Sequence, residues 1–218
     1  METLAATLAQ ELESPLQAIL NVAHIMAQDA QGEGVSGEDV ERVKTAALRA
    51  SNVVRALLEI AYSHEHRWEV HEINTLVSDA VSASGLLTAT AVVVSMQLDP
   101  SSPKIRCNGD QMKHVFLNLI TNAWDAMPKE GHLTISTRVV GDRVEIKFTD
   151  TGVGIPPEHL DRVFDPLFTT KGGTQGTGLG LASGRDIVRR HGGSISAESR
   201  IGSGTTFIIL LPLAGPQL

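Results

Sequence analysis

The chain has 218 residues, of which 42% are hydrophobic and 20% charged, so it folds as one large domain or two modest ones and is not a disordered tail. Its formal net charge of -7 excludes a surface built for non-specific binding to nucleic acid, and any anionic ligand must be bound locally. The only cysteine is Cys107, which excludes a disulfide framework and favours a reducing, cytoplasmic compartment. We identify no basic-then-apolar leader, and the uncharged run 80–98 is too polar to span a membrane.

The first part of the chain is predicted to form a helical hairpin. Apolar residues recur every three or four positions over 4–26 and again over 40–61, and the glycine-rich stretch 32–37 separates the two runs. Each run has a narrow apolar seam, which needs a partner to bury it. We therefore predict a hairpin at 1–66 that pairs with a second copy to form a four-helix bundle, which makes the protein a homodimer. Packing of the hairpin against the rest of its own chain is the alternative.

After a short linker at 67–71, the pattern changes to helices mixed with strands. The predicted helices are 73–84, 110–127 and 181–191, and the predicted strands are 91–98, 132–140, 143–149, 193–199 and 204–211. Gly141-Asp142 is typical of a two-residue hairpin turn. For residues 72–218 this order predicts an α+β fold, in which antiparallel strands form one sheet with helices on one face.

Two segments of this second part offer polar side chains to a ligand. Asn118 and Asn122 are four residues apart on a predicted helix, so both amides project from the same face. An amide carbonyl is a hard oxygen ligand that suits Mg²⁺. Asp150 ends a predicted strand and is followed by Gly152 and Gly154, which allow a ligand to approach the backbone. A buried carboxylate at this place would accept a hydrogen bond from an exocyclic amine.

Two later segments have the features of a phosphate site. The glycine-rich run 176–181 opens a helix, and it would offer free N–H groups and the positive end of the helix dipole to a phosphate. Lys171, at the end of the preceding phenylalanine-rich segment 164–171, can add a point charge. The run does not match the dinucleotide-binding fingerprint, because Ser183 takes the place of the third glycine.

In their order and spacing these motifs resemble those of the sensor histidine kinases of two-component systems, and the resemblance covers nearly the whole chain. It implies a dimerisation and phosphotransfer hairpin at 1–66, followed at 72–218 by a catalytic domain with the Bergerat-type α/β sandwich. It also implies ATP and Mg²⁺ as ligands, transfer of the γ-phosphoryl group to a histidine on the hairpin, and a response regulator receiver domain as the partner.

The resemblance also assigns roles to single residues. Asn118 to Asn122 is similar to the N box, in which Asn122 would bind Mg²⁺, and Asp150 matches the aspartate that reads the adenine amino group. Thr205 or Thr206 matches the threonine that helps to close the adenine pocket. The residues expected at the nucleotide, including those similar to the F box and to the end of the mobile ATP lid, are Asn118, Asn122, Asp150, Gly152, Gly154, Phe164, Phe168, Thr170, Lys171, Gly176, Thr177, Gly178, Leu179, Gly180, Thr205 and Thr206. Lys171 is also expected to act in catalysis.

One departure from the related ATPases concerns hydrolysis. Those proteins have a glutamate four residues before the asparagine that binds the metal, and this chain has Asn118 there. An amide cannot act as a base, so we expect slow ATP hydrolysis. Two histidines are predicted to have minor roles: His114 as a surface residue and His191 as the residue that closes the last helix.

The second departure lies at the phosphoacceptor position. Members of the family have His-Glu-Leu-x-x-Pro-Leu in the first helix, whereas this chain has glutamine at position 10, followed by Glu11. The lone pair of an amide nitrogen is delocalised into its carbonyl, so Gln10 cannot hold a phosphoryl group and autophosphorylation should be absent. Glu11, which in the family orients and deprotonates the histidine, is retained. Two explanations of Gln10 stay open: an engineered substitution, or a natural kinase-like regulator.

Three classes of function follow from these observations. A histidine kinase core requires nucleotide binding and a dimeric hairpin. A stand-alone ATPase requires a base at position 118, which is an asparagine here. A nucleotide-binding regulator or a scaffold without phosphotransfer fits Gln10, although the retained glycines and Lys171 weigh against a scaffold that no longer binds ATP.

Overall fold

The structure is a computed structural model that describes residues 68–84, 92–128, 130–166, 168–170 and 178–214. The predicted hairpin at 1–66, with Gln10 and Glu11, lies outside the described residues, and so do Lys171, Gly176 and Thr177. The helices and strands described below belong to one compact unit, which spans 66–166 and 180–218. Residues 168–170, 178 and 179 belong to a second unit.

The described helices and strands follow one another in the order β1 (Glu69–Glu72), α1 (Ile73–Ala83), β2 (Val92–Gln97), β3 (Lys104–Cys107), α2 (Gly109–Ala126), β4 (Gly131–Val140), β5 (Arg143–Asp150), α3 (Pro157–Leu160), α4 (Gly180–Arg190), β6 (Ser194–Arg200) and β7 (Gly204–Pro212). The three predicted helices and the five predicted strands are confirmed to within about one residue at each end. Gly141 has a φ of 63° and lies in the predicted turn between β4 and β5.

Five strands form the main sheet, in the order β2-β4-β5-β7-β6. The pairs β4 with β5, β5 with β7, and β6 with β7 are antiparallel. The expectation of antiparallel strands is wrong for β2, which pairs with β4 in parallel. The chain between these two strands passes through β3 and α2, and a long crossover of this kind brings the second strand back in the same direction as the first.

Three short elements were not predicted from the sequence. Strand β1 pairs with β3 in a separate two-stranded sheet, and it overlaps the expected linker 67–71 from Glu69 onward. Helix α3 is also new. Each of these elements has only four residues, which is too few to establish a period of 2 or 3.6.

The core lies between the main sheet and the helices. Along β4, β5 and β7 alternate side chains are buried, as expected for a sheet that is covered on one face. Ring centroids of Phe116 on α2 and Phe148 on β5 lie 5.7 Å apart, and α1 and α4 both contact α2. The buried apolar residues of the three strands are Leu133, Ile135, Val144, Ile146, Phe148, Phe207, Ile209 and Leu211.

Helix α2 is the central helix, and its start is well defined. Asn108 is the N-cap residue, and its Oδ1 accepts a hydrogen bond from the backbone N–H of Gln111 at 3.1 Å. The apolar face of the helix is buried, as Met112 and Ile120 illustrate. Asn118 lies at its edge and is only partly buried, so burial of the apolar stripe orients this polar residue.

Cys107 lies in the core at the end of β3 and is 0% exposed. Desolvation by burial raises the pKa of its thiol to about 12. In the part of the chain that the structure describes, no helix is both long enough and apolar enough to cross a membrane.

Candidate functional site

Asp150 ends β5 and has a buried carboxylate, with 3% of the residue exposed. Its Oδ1 accepts hydrogen bonds from the backbone N–H groups of Gly152 at 2.8 Å and Thr205 at 3.2 Å. Among the described residues both hydrogen bonds to this carboxylate end on Oδ1, so Oδ2 is available to a ligand. Burial raises the pKa of Asp150 above its ordinary value, although the two hydrogen bonds oppose this shift.

The glycines near Asp150 allow backbone segments to pack closely. A Cβ on Gly152 would lie 2.6 Å from the carbonyl oxygen of Ala126, and the N–H of Val153 donates to the same oxygen at 3.1 Å. Gly204 has a φ of 95°, and its Cβ would collide with the carbonyl oxygen of Asp150. The sequence predicts that Gly152 and Gly154 let a ligand approach the backbone, and in the structure the Cβ position of each also lies against protein backbone.

Gly154 and Ser199 connect the segment that follows Asp150 to the turn between β6 and β7. Gly154 has a φ of 75°, and its Cβ would meet the carbonyl of Arg200. The Ser199 hydroxyl accepts a hydrogen bond from the N–H of Ile155 at 2.7 Å and donates to the carbonyl of Gly204 at 2.9 Å. Ser199 was not predicted as a site residue, because no sequence pattern distinguishes it from other serines in strands.

Thr205 and Thr206 face opposite sides of the sheet. Thr205 is 4% exposed, its N–H donates to Asp150, and its hydroxyl lies 2.9 Å from that of Ser199. The hydroxyl of Thr206 instead pairs with that of Thr149 at 3.1 Å. Of the two candidate threonines, the structure brings Thr205 to Asp150.

Asn118 connects α2 with the start of α4. Its Nδ2 lies 2.8 Å from Nε2 of His114 and donates to the carbonyl of Gly180 at 3.4 Å. Because an amide nitrogen only donates, Nε2 of His114 is the acceptor, and Oδ1 of Asn118 is the oxygen that can face a ligand. His114, predicted as a surface residue, is partly exposed and in addition contacts Asn118. Its position four residues before Asn118 on the same helix is the signal that could have indicated this contact. Asn122 lies one turn further along and is partly buried.

Phe164 is anchored in the same compact unit. The residue is 8% exposed, and its ring lies edge-on to that of Phe207 with centroids 6.3 Å apart. The guanidinium of Arg185 on α4 lies 5.9 Å from the centroid of the Phe164 ring, within cation–π range. Phe164 thus fixes the start of the phenylalanine-rich segment against β7 and α4.

The remaining predicted residues belong to the second unit or lie outside the described residues. Phe168 and Leu179 are partly buried, Thr170 is exposed, and Gly178 has a φ of 64°. Lys171, Gly176 and Thr177 are outside the described residues.

The compact unit therefore offers a ligand two kinds of group. At the end of β5 there is a desolvated carboxylate that can accept hydrogen bonds. Beside the start of α4 there is an amide oxygen, together with the N-terminal end of a helix of 11 residues. In the described part of the chain, no three His, Cys, Asp or Glu side chains group into a metal site.

Comparison with protein families gives a match over residues 107–215. The matching model is described as histidine kinase-, DNA gyrase B-, and HSP90-like ATPase. The match includes Asn118, Asp150, Gly180 and Thr205, which are the residues at the two ends of the site.

Curated relatives match almost the entire chain. Sensor histidine kinase ZraS of Klebsiella oxytoca is 34% identical over 98% of this chain and 46% of its own length. Sensor kinase CckA of Brucella abortus is 31% identical over 96% of this chain and 24% of its own length. The chain thus spans less than half the length of these two relatives.

Solved structures show the same fold. The nucleotide-free catalytic domain of histidine kinase ThkA matches with a TM-score of 0.62 and 29% identity, over 68% of this chain and 97% of that domain. The histidine kinase AdeS of Acinetobacter baumannii matches with a TM-score of 0.73 and 22% identity, over 93% of this chain and 97% of that one. ThkA in complex with the response regulator protein TrrA matches with a TM-score of 0.75 and 22% identity, over 97% of this chain and 61% of that one.

Proposed function

Because the chain belongs to the family of histidine kinase-, DNA gyrase B- and HSP90-like ATPases, we propose that it binds Mg-ATP as the catalytic core of a sensor histidine kinase. With a histidine at position 10, this core would transfer the γ-phosphoryl group to that side chain and then to a response regulator. The observation that carries the proposal is the buried Asp150 carboxylate, which is held by Gly152 and Thr205.

Asp150 would recognise the adenine base. Its Oδ1 already accepts two backbone hydrogen bonds, so the carboxylate is fixed before a ligand arrives. The exocyclic amino group of adenine is a donor and would satisfy Oδ2. This pairing discriminates against guanine, which has a carbonyl oxygen at the corresponding position and would place two acceptors against each other.

The phosphates would lie at the other end of the site. The N-terminus of α4 provides free N–H groups and a positive helix dipole. The glycine-rich segment before α4, with Lys171, would complete the phosphate site. The partial burial of Asn118 and its contact with Gly180 support this placement.

The chemistry of the side chains near the phosphates fits Mg²⁺. Nδ2 of Asn118 is used in donation to His114 and Gly180, and its Oδ1 is a hard oxygen of the type that Mg²⁺ prefers. Asn122, one helical turn further along, would be the residue that binds the ion. When bound, Mg²⁺ neutralises negative charge on the phosphate oxygens.

In the phosphotransfer step, a nitrogen of the histidine forms a bond with the γ-phosphorus while the bond from that phosphorus to the β,γ-bridging oxygen breaks, and ADP leaves. Glu11 would take the proton of the imidazole. Gln10 cannot form the P–N bond, because its nitrogen lone pair is delocalised. The phosphoacceptor function is therefore lost in this sequence.

The partners follow from the same proposal. The hairpin at 1–66 would form a homodimeric four-helix bundle, and the receiver domain of a response regulator would take the phosphoryl group. The complex of ThkA with its response regulator supports this choice of partner.

A calorimetric titration of the full chain with a non-hydrolysable ATP analogue, with and without Mg²⁺, tests the binding step. Asp150→Asn should weaken binding by at least about tenfold, because it replaces the acceptor facing the adenine amino group with a donor. Asp142→Asn, in the exposed turn between β4 and β5, is the matched control and should bind normally. Equal affinity in all three proteins would refute the proposed role of Asp150.

Labelled ATP tests the transfer step. The unchanged chain should retain no acid-labile phosphate, whereas Gln10→His should become labelled. Absence of label in Gln10→His, despite normal nucleotide binding, would favour the second candidate function, a kinase-like nucleotide-binding regulator without phosphotransfer. Gln10 is the observation that favours this candidate.

A further inference from the structure

Helices α2 and α4 lie side by side and run in opposite directions, and a polar contact is present at each end of α4. At one end, Asn118 of α2 donates to the carbonyl of Gly180 at the start of α4. At the other end, the backbone N–H of Asn108, just before α2, donates to Nε2 of His191, just after α4. The two contacts are separated by about 15 Å along the helices, at a rise of 1.5 Å per residue.

The hydrogen bonds of His191 determine which of its two ring nitrogens carries the proton. The residue is 1% exposed, and its Nε2 accepts the hydrogen bond from Asn108 at 3.0 Å. A backbone N–H can only donate, so Nε2 has no proton and the ring proton lies on Nδ1. That nitrogen lies 2.8 Å from the carbonyl oxygen of Ile187 and donates to it.

The surroundings of His191 restrict the movement of its ring. The ring of Trp68 lies against it, with centroids 4.5 Å apart. The residue as a whole is almost completely buried, so other protein atoms surround the ring. The ring can therefore move little without breaking its bond to Asn108.

The contact at the ligand end is the weaker of the two. The distance from Nδ2 of Asn118 to the carbonyl oxygen of Gly180 is 3.4 Å, beyond the usual range for such hydrogen bonds. A slide of α2 past α4 by one residue, about 1.5 Å, would separate these groups. The contact with His191 opposes that slide, because it holds the first turn of α2 to the last turn of α4.

We propose that His191 is a positioning residue for the nucleotide site. It keeps α2 and α4 in the axial register that places Asn118 beside Gly180, although it lies at the other end of α4, about 15 Å away. This inference rests on the proposed function, because the register matters only if the nucleotide phosphates and Mg²⁺ bind where α2 meets the start of α4.

Two substitutions separate positioning from simple helix capping. In His191→Gln the side-chain oxygen can occupy the place of Nε2 and accept from Asn108. In His191→Asn the shorter amide reaches only the place of Nδ1, so it can donate to Ile187 but cannot reach Asn108. We expect His191→Asn to bind the ATP analogue about tenfold more weakly in the full chain, and His191→Gln to bind within about twofold of the unchanged protein.

The outcomes distinguish this inference from the proposed function. If the unchanged chain does not bind the analogue, the proposed function fails. If the unchanged chain binds and the two variants have equal affinity, the proposed function stands and the positioning role of His191 is refuted.

Hydrogen exchange of the unchanged chain tests the same inference if His191→Asn does not fold. Coupling between two sites is reciprocal, so nucleotide binding should strengthen the contact between Asn108 and His191. Exchange of the Asn108 amide should slow by about tenfold when the analogue saturates the protein. The amide of Leu213, which donates to the carbonyl of Asp142, is the control. Equal slowing of both amides, or no slowing of the Asn108 amide, would overturn the proposal.

Discussion

The two ends of the site use glycine in different ways. At the Asp150 end, Gly152 and Gly204 have no room for a side chain, because a Cβ would collide with the backbone of Ala126 or Asp150. At the α4 end, a Cβ on Gly180 would lie 3.5 Å from Cγ of Asn118, an ordinary van der Waals contact. The Asp150 end of the candidate site is thus part of the folded core, whereas the α4 end has room for ligand atoms to approach the backbone.

The largest effect should come from Gly204→Ala. Its φ of 95° and the collision with the Asp150 carbonyl should together lower the free energy of unfolding by at least about 3 kcal/mol. Gly202→Ala is the matched control, because Gly202 also has a positive φ, 73°, but no heavy atom lies within 4 Å of its Cβ position. It should lose only about 1 kcal/mol, from backbone strain. Equal losses in chemical denaturation would show that steric contact at Gly204 is unimportant.

The pH dependence of binding should report the raised pKa of Asp150. If the ionised carboxylate accepts from adenine, as proposed, affinity for the ATP analogue should fall by about tenfold per pH unit below the pKa of Asp150 in the folded protein. The midpoint should lie above the ordinary value of 3.8, because burial raises this pKa. A flat profile down to pH 4 would contradict this expectation.

The free energy of unfolding should also depend on the ionisation of Asp150. Lowering the pH should weaken nucleotide binding but stabilise the fold. A carboxyl group whose pKa is raised on folding binds its proton more tightly in the folded state than in the unfolded state. Its contribution to the free energy of unfolding is therefore fully present below the pKa of the unfolded state and is lost as the pH rises through the pKa of the folded state. Asp150→Asn should therefore be more stable than the unchanged chain at pH 7 while binding nucleotide less well.

Gly180→Ala should reduce affinity and leave the fold intact. Alanine is a better helix former than glycine, and the structure has room for its methyl group. If the phosphates approach the backbone here, the methyl group should weaken binding by about threefold to tenfold. A normal melting temperature combined with unchanged affinity would place the phosphates elsewhere.

The smallest effects should separate the two threonines. Thr205→Val removes a buried hydroxyl that contacts Ser199, and should cost about 1 kcal/mol of stability and about threefold in affinity. Thr206→Val loses only the contact with Thr149 on the other face and should bind normally. If Thr206→Val were the weaker binder, the assignment of Thr205 to the adenine end would be incorrect.

Long periodic segments made much of the fold predictable. The alternation of β4 and β5 and the apolar stripe of α2 indicated these elements to within about one residue, because a single buried face imposes one period over many positions. The parallel pairing of β2 with β4 was missed, since strand direction depends on the path of the crossover and leaves no mark on the strand itself. Elements of four residues, such as β1 and β3, were missed because their neighbours in space, and not their own pattern, stabilise them.

The candidate site was only partly accessible to sequence reasoning. Motif order indicated Asp150 and Asn118 as candidate residues and offered Thr205 or Thr206 beside Asp150, of which the structure brings Thr205 to the carboxylate. The roles of Ser199 and His191 were not, because each depends on a contact with residues far away in the chain, such as Asn108 for His191. The packing of Gly152 against Ala126 was not predicted either, since the sequence does not reveal which protein atoms approach a glycine.

The burial of Cys107 has a practical consequence for experiments. It is the only cysteine in the sequence, and a thiol with a pKa of about 12 and no exposed surface reacts very slowly with maleimides or disulfide reagents at neutral pH. A cysteine introduced at a chosen exposed position would therefore accept a fluorophore or spin label selectively, without prior removal of the native residue. Distances between such labels could then follow conformational changes in the full chain as nucleotide is added.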